Sequence, residues 1–176
     1  VDFYSVVRAL VSNLTGGMFQ GASTITQQFV RNTILADEMD EISAKRKIRE
    51  MYIATELEKR YTKNEILNMY LNTINYGSGA YGIEAASRCY FSKSAADLTV
   101  AEAALLAGIP QSPTYNDPIL YPENATERRN LVLGRMLDEH YITQEEYDAA
   151  IATPLELNPQ ETRDDGIIAF PYFTSY

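Results

Sequence analysis

The sequence predicts an all-α (mainly α) domain, and three observations support this prediction. At four predicted helix starts a Thr is followed three residues later by Glu or Gln, a pattern that satisfies the free backbone amides there. The four pairs are Thr24/Gln27, Thr62/Glu65, Thr99/Glu102 and Thr143/Glu146. No segment alternates cleanly between apolar and polar residues over five positions, as a half-buried strand would. Finally, 176 residues with 45% hydrophobic content suffice for one domain with a core.

Two of these helix starts open strongly apolar segments. The helix after Thr62 is expected to turn an apolar face inward, formed by Ile66, Leu67, Met69, Tyr70 and Leu71. The segment after Thr99 is apolar on all sides between residues 101 and 107 apart from Glu102, which predicts a buried helix. Gly108 and Pro110 are expected to end that helix, because neither residue favours its continuation.

The remaining segments complete the predicted organisation. A further helix is expected to start at Asn124 or Thr126 and to reach Glu139. Its inward-facing residues are expected to be Leu133, Met136 and Leu137. Residues 75–82 contain three glycines and predict a loop. Their Gly-x-Gly-x-x-Gly spacing follows a helical segment rather than a strand, so it does not indicate a dinucleotide site.

The net charge of −9 is distributed unevenly along the chain. Residues 1–100 carry 11 basic and 11 acidic side chains, whereas residues 101–176 carry 4 basic and 13 acidic ones. Residues 45–63 hold 7 basic against 3 acidic side chains, which indicates either a local site for an anionic ligand or a solvated helix face. The acidic total argues against nucleic-acid binding. The single Cys89 and single His140 exclude a disulfide framework and leave little scope for a Cys/His metal site.

Residues 21–28, Gly-Ala-Ser-Thr-Ile-Thr-Gln-Gln, form the first candidate site. Ser23 or Thr24 is expected to cap a helix after the flexible glycine. The first turns of this helix present Gln27, Gln28 and Arg31. A capped helix N-terminus with free amides, hydroxyls and a cation suits an anionic ligand. The alternative interpretation is an ordinary N-cap with exposed polar residues.

The second candidate site lies in the helical segment 45–57. At about 100° per residue, Arg46 and Glu50 fall on one helix face, and Lys47 lies at its border. The rest of this face is apolar, with Ile53, Ala54 and Leu57. Charges that continue an inward face are usually paired or line a cleft, because burying an unpaired charge is costly. The alternative is an Arg46–Glu50 pair on the helix surface, worth about 0.3–0.5 kcal/mol.

These two segments resemble signatures of glycosyltransferase family 51, the domain found in class A penicillin-binding proteins and monofunctional peptidoglycan glycosyltransferases. Three further segments are similar to the family in the same order, namely residues 63–72, 82–91 and 103–113. The resemblance covers roughly residues 1–150, and five segments in order are specific where any one would be weak. It implies a lysozyme-like helical glycosyltransferase domain.

The resemblance implies an enzyme that polymerises lipid II into β-1,4 glycan strands with inversion and release of polyprenyl diphosphate. A carboxylate acts as general base on the acceptor hydroxyl, and cations offset the charge developing on the diphosphate. By this likeness Glu50 is the expected catalytic residue, assisting at the leaving group. The expected substrate-binding residues are Ser23, Thr24, Gln27, Gln28, Arg31, Arg46, Lys47 and, at the cleft wall, Asn72. No metal ligand or cofactor is expected to be required, although Mg²⁺ or Mn²⁺ could accompany the diphosphate.

The chain departs from the family pattern in three respects. The family's general-base glutamate lies upstream of the stretch matched by Val1 and Asp2, so the chain alone is expected to be inactive. Arg31 stands where the family usually has Lys. The positive charge is kept, but a planar guanidinium group replaces the compact ammonium group. Ile42 stands where relatives usually have Arg, so one phosphate contact is expected to be missing. The domain, without its N-terminal catalytic motif, is expected to span residues 1–153. Residues 154–176 are expected to link it to a downstream transpeptidase domain.

The expected partners follow from the same likeness. They are lipid II, the growing glycan strand, the membrane surface and cell-wall synthesis proteins. The intact protein is expected on the extracytoplasmic face of the cell membrane, held by an anchor helix absent from this chain. Two alternative functions remain, a lysozyme-like hydrolase that cleaves glycans and a non-catalytic helical interaction module. The basic residues that flank Glu50 favour a diphosphate over a neutral sugar chain.

Overall fold

A computed structural model describes residues 23–38 and 43–159, so Ile42 lies outside the described residues. In these ranges the chain forms seven α-helices and no strand, and the all-α prediction is confirmed. The helices are α1 (Ile25–Asn32), α2 (Ala44–Arg60), α3 (Lys63–Leu71), α4 (Ile83–Phe91), α5 (Val100–Gly108), α6 (Pro122–Asp138) and α7 (Gln144–Ala152). Contacts divide the chain into two compact units. The first unit contains residues up to 75 and residues 81–83, and the second contains residues 76–80 and those from 84 onward.

The first unit contains α1, α2 and α3, and a small apolar core lies between α1 and α2. Val30, Leu35 and Ala54 are buried together, and Ile53 and Leu57 pack against them. The predicted inward face of α2 is therefore confirmed.

Helix α3 begins with the predicted capping box, in which the Thr62 hydroxyl and the Glu65 carboxylate bind each other's backbone amides. Its apolar face is narrower than predicted. Ile66 and Tyr70 are buried, but Leu67 is 39% exposed.

The second unit has its core between α5, α6 and α7. The buried residues of this core are Ala101, Ala104, Leu133, Ile142 and Ala150. The predicted capping boxes at Thr99 and Thr143 are present. Helix α5 ends at Gly108 as predicted, and a 3₁₀ turn (Ile109–Gln111) follows it. The expectation that α5 is buried on all sides was wrong, because Ala103 and Ala107, one turn apart, are exposed.

Helix α6 starts earlier than predicted. It begins at Pro122 rather than at Asn124 or Thr126. Proline suits the first helical position because its φ is already helical and its missing amide hydrogen would have no intrahelical partner there. The helix therefore begins without a side-chain cap from Tyr121 and ends at Asp138. The predicted inward residues Leu133, Met136 and Leu137 do pack into the core of the second unit.

Residues 75–82 form the predicted glycine-rich loop. Gly77, Gly79 and Gly82 have φ angles of 79°, 73° and 85°, in the left-handed region that favours glycine. In the first unit, a Cβ at position 82 would lie 2.6 Å from the Asn72 carbonyl oxygen. In the second unit, a Cβ at position 77 would lie 2.8 Å from a carboxylate oxygen of Asp117. Two of the three glycines are thus required by close packing as well as by backbone conformation.

The last described helix, α7, ends at Ala152, and residues 154–159 are not helical. The division of the chain into a domain of residues 1–153 and a linker of residues 154–176 stays a prediction, because most of the linker lies outside the described residues. No helix in the described ranges is both long enough and apolar enough to cross a membrane.

Candidate active site

The first unit brings the N-terminus of α1 against the inward face of α2. Thr24 caps α1, and its hydroxyl accepts a hydrogen bond from the Gln27 amide at 3.2 Å. Ser43 caps α2 in the same way, accepting from the Arg46 amide at 3.1 Å. The two helices pack on each other. The polar first turn of α1 and the charged first turns of α2 can therefore meet.

Lys47 lies at the centre of this meeting point. Its ammonium group donates to the Ser23 hydroxyl at 2.9 Å and to the Gln27 amide oxygen at 3.1 Å, and it forms an ion pair with Glu50. The Lys47 side chain is 23% exposed, whereas the Glu50 side chain is 1% exposed. The pair thus joins a buried carboxylate to a cation that reaches solvent.

The alternative of a surface pair between Arg46 and Glu50 does not fit this geometry, because Glu50 is buried. The i, i+3 partner Lys47 binds the carboxylate. A carboxylate so far from water is normally compensated by a charged partner, which Lys47 supplies. The sequence placed Lys47 only at the border of the helix face, so this pairing was missed.

Gln27 is completely buried and only half satisfied. Its amide oxygen accepts from Lys47, which fixes the orientation of the amide because an ammonium group can only donate. The amide nitrogen is buried and finds no acceptor in the described ranges. An unpaired buried donor costs on the order of 1–3 kcal/mol. Such a group in a candidate site is suited to an oxygen-rich ligand.

Gln28 links α1 to α3 through a second set of hydrogen bonds. The Tyr70 hydroxyl donates to the Gln28 amide oxygen at 3.1 Å, and the Gln28 amide nitrogen reaches the Ser23 carbonyl at 3.4 Å. Burial raises the pKa of the Tyr70 phenol, and the positive charge of Arg31 opposes this effect. The sequence had assigned Tyr70 to an apolar face. The hydroxyl of Tyr70 could have indicated a polar contact, since a buried tyrosine usually needs a hydrogen-bond partner.

The remaining predicted residues lie in the same unit. Arg46 is half-buried in the first turn of α2, and Arg31 is half-buried in the last turn of α1. Asn72 caps the C-terminus of α3, where its exposed side chain donates to the Asn68 carbonyl at 2.8 Å. The structure therefore joins Ser23, Gln27, Lys47 and Glu50 by direct contacts, while Asn72 is engaged with its own helix. The binding role of each residue stays a prediction.

The first unit thus combines a buried carboxylate, an ammonium group and amide side chains near a helix N-terminus, and free N–H groups at a helix N-terminus favour anionic ligands. The family model described as Transglycosylase matches residues 1–137, and the chain belongs to this family. The resemblance drawn from the sequence is thereby confirmed.

Several relatives agree with this assignment. Penicillin-binding protein 1A of Aquifex aeolicus is 45% identical over 161 residues, which cover 91% of this chain and 22% of that protein. Penicillin-binding protein 1A of Vibrio cholerae is 48% identical over 155 residues, covering 88% of this chain and 18% of that protein. A Cupriavidus necator protein with a provisional transglycosylase name is 44% identical over 157 residues, covering 89% of this chain and 67% of that protein.

Among solved structures, the crystal structure of penicillin-binding protein 1A from Haemophilus influenzae is similar, with a TM-score of 0.55 and 46% identity. The match covers 57% of this chain and 15% of that chain. The chain spans about a fifth of the length of the two penicillin-binding protein 1A relatives named above.

Proposed function

We propose that this chain forms the larger part of the catalytic domain of a peptidoglycan glycosyltransferase. The reaction is the polymerisation of lipid II into β-1,4 glycan strands, with inversion at the anomeric carbon and release of polyprenyl diphosphate. Membership of the transglycosylase family supports the reaction class. The observation that carries the proposal is the buried Glu50 carboxylate, held by an ammonium group that also contacts the row of hydroxyl and amide groups on α1.

The ammonium group of Lys47 can act on the diphosphate by exchanging partners. An ammonium group has three N–H donors, and Ser23, Gln27 and Glu50 engage all three. A diphosphate oxygen would replace one of the two neutral acceptors rather than the carboxylate, because charged acceptors bind a cation more strongly. Lys47 would then neutralise charge that develops as the bond to the diphosphate breaks.

Glu50 and the amide groups have complementary tasks in this proposal. Glu50 keeps Lys47 in place and assists at the leaving group. The Gln27 amide nitrogen offers a buried donor to a phosphate or sugar oxygen. Arg46 and Arg31 add positive charge in the same unit, so a diphosphate would meet more cations than carboxylates.

A divalent cation is expected to reach this site only with the substrate. In the described part of the chain, no group of three or more His, Cys, Asp or Glu side chains could hold a metal ion. Glu50 already binds Lys47, so it would offer at most one further oxygen. Mg²⁺ or Mn²⁺ would take most of its ligands from the diphosphate and water.

The cellular setting follows from the proposed substrate. Because lipid II is a membrane lipid, we expect the intact protein at the extracytoplasmic face of the cell membrane. Its expected partners are lipid II, the growing glycan strand, the membrane surface and other cell-wall synthesis proteins.

The test uses the intact protein that contains this chain. It is incubated with lipid II and, separately, with preformed peptidoglycan, and glycan length is measured in both. The proposal predicts extension of lipid II into strands and no cleavage of peptidoglycan. Cleavage without extension would support the lysozyme-like hydrolase instead. If neither substrate changes, the domain is a non-catalytic interaction module.

A further inference from the structure

Tyr70 lies outside the candidate substrate-binding set but contacts it through one hydrogen bond. It is buried in α3, with 8% of its surface exposed. Its hydroxyl lies 3.1 Å from the amide oxygen of Gln28 in α1. The residues are separated by 42 positions in the sequence, so the contact ties two helices together.

The direction of this hydrogen bond is fixed by its neighbours. The Ser23 carbonyl can only accept, so the Gln28 side chain must turn its amide nitrogen towards Ser23. The Gln28 amide oxygen therefore faces Tyr70, and the phenol must donate to it. Each group in this series of hydrogen bonds is therefore either a donor or an acceptor. Loss of the phenol hydrogen of Tyr70 would remove the restraint on the side-chain amide of Gln28.

The series of hydrogen bonds that starts at Tyr70 ends at the proposed catalytic pair, Lys47 and Glu50. Gln28 holds the backbone of Ser23, and the hydroxyl of the same Ser23 accepts from Lys47 at 2.9 Å. Lys47 in turn binds Glu50. A change in the orientation of Gln28 would release Ser23 and, with it, one of the three acceptors that hold the ammonium group.

We propose that Tyr70 is a positioning residue, which orients Gln28 and Ser23 and thereby directs the Lys47 ammonium group towards the leaving diphosphate. This inference rests on the proposed function of the Lys47–Glu50 pair. Burial raises the pKa of the Tyr70 phenol, so the hydroxyl stays a donor across the physiological pH range. Tyr70 does not touch the reacting atoms, and its effect passes through the neighbouring side chains.

The first experiment replaces Tyr70 by Phe in the intact protein and measures kcat and KM for lipid II. Removal of one neutral hydrogen bond should lower kcat about three- to tenfold and leave KM within about twofold. The matched control is Tyr90→Phe in the second unit, whose hydroxyl donates to the Tyr76 carbonyl at 2.8 Å. That variant also loses a buried hydrogen bond, but its kcat should stay unchanged.

The second experiment is a double-mutant cycle of Tyr70→Phe with Gln28→Ala. If Tyr70 acts through Gln28, the double variant should be no slower than Gln28→Ala alone. A merely structural role would make the two losses multiply, because independent effects add in free energy. Multiplying losses, or an unchanged kcat in Tyr70→Phe, would overturn the inference.

Glu50→Gln separates this inference from the function on which it rests. If Glu50→Gln keeps full activity, the proposed function itself fails. If Glu50→Gln abolishes activity while Tyr70→Phe leaves kcat unchanged, only the positioning role is wrong. Circular dichroism of every variant establishes that the fold is retained.

Discussion

Each of the two units contains a carboxylate that is 1% exposed, and these two carboxylates have different kinds of hydrogen-bond donor. Glu50 in the first unit is bound by a cation, the ammonium group of Lys47. Asp117 in the second unit accepts from the Ile119 amide at 2.9 Å and from the Ser78 hydroxyl at 2.7 Å, both neutral donors. The same chemical group is thus held by a solvent-reaching cation in one unit and by the backbone and a hydroxyl in the other.

This difference separates a site that can exchange partners from one that cannot. Lys47 is 23% exposed, and in the proposed function its ammonium group exchanges a neutral acceptor for a phosphate oxygen without leaving Glu50. The donors around Asp117 belong to the chain segments that it holds together. Ser78 lies in the glycine-rich loop and Ile119 lies shortly before α6, so Asp117 ties these two segments. We therefore expect Glu50 to determine activity and Asp117 to determine stability.

The largest expected effect is on activity, and it compares Glu50→Gln with Asp117→Asn in the intact protein. Loss of a catalytic carboxylate typically lowers the rate about 10²- to 10⁴-fold, so Glu50→Gln should nearly abolish strand synthesis. Asp117→Asn should keep kcat/KM within about threefold, because Asn retains one acceptor oxygen of the original two. The measurement is the rate of lipid II consumption by folded protein. Equal losses in both variants would contradict the comparison.

The next effect concerns stability, and it uses two glycines with similar backbone angles. Gly77 and Gly79 have φ angles of 79° and 73°. A Cβ at position 77 would lie 2.8 Å from Asp117, whereas one at position 79 would meet nothing within 4 Å. Gly79→Ala should therefore cost only backbone strain, about 1–2 kcal/mol, and Gly77→Ala about 2–4 kcal/mol. Urea unfolding of both variants measures the difference, and equal costs would show that Asp117 does not pack tightly against the loop.

The smallest effect is an alkaline loss of stability in the second unit. Burial raises the pKa of the Tyr90 phenol well above its ordinary value. The native state therefore keeps a proton that the unfolded chain releases above about pH 10, so this contribution is present below pH 10 and lost as the pH rises. Between about pH 9 and about pH 11 the loss should be roughly 1.4 kcal/mol for this group. Tyr90→Phe should reduce the pH-dependent fall of the unfolding free energy over that range by this amount, and an unchanged slope would contradict the prediction.

Much of the fold could be predicted because its signals are local. The Thr-x-x-Glu pairs at Thr62, Thr99 and Thr143 each form the capping box that the sequence indicated. The start of α6 was missed because Pro122 begins a helix without a capping side chain. The exposure of Leu67 was missed for a different reason. Helical spacing indicates the direction of the apolar face of α3, but not how much of that face the neighbouring helices cover.

The sequence could predict the burial of Glu50 but not the contacts that hold its carboxylate. Helical spacing placed Glu50 on an inward face, and it is buried. Spacing could not indicate that Lys47 would reach across to Ser23 and Gln27, since these contacts span 24 and 20 positions. The Tyr70–Gln28 bond escaped for the same reason, as it depends on how α1 packs on α3.

In the proposed function Lys47 is available to a diphosphate, and equilibrium binding of polyprenyl diphosphate measures this availability. The intact wild-type protein is compared with Lys47→Met and with Lys45→Met, whose side chain is exposed on α2. Loss of a charged hydrogen bond should weaken Kd about tenfold or more in Lys47→Met, while Lys45→Met should stay within about twofold. An unchanged Kd in Lys47→Met, or an equal loss of affinity in both variants, would show that Lys47 does not bind the diphosphate.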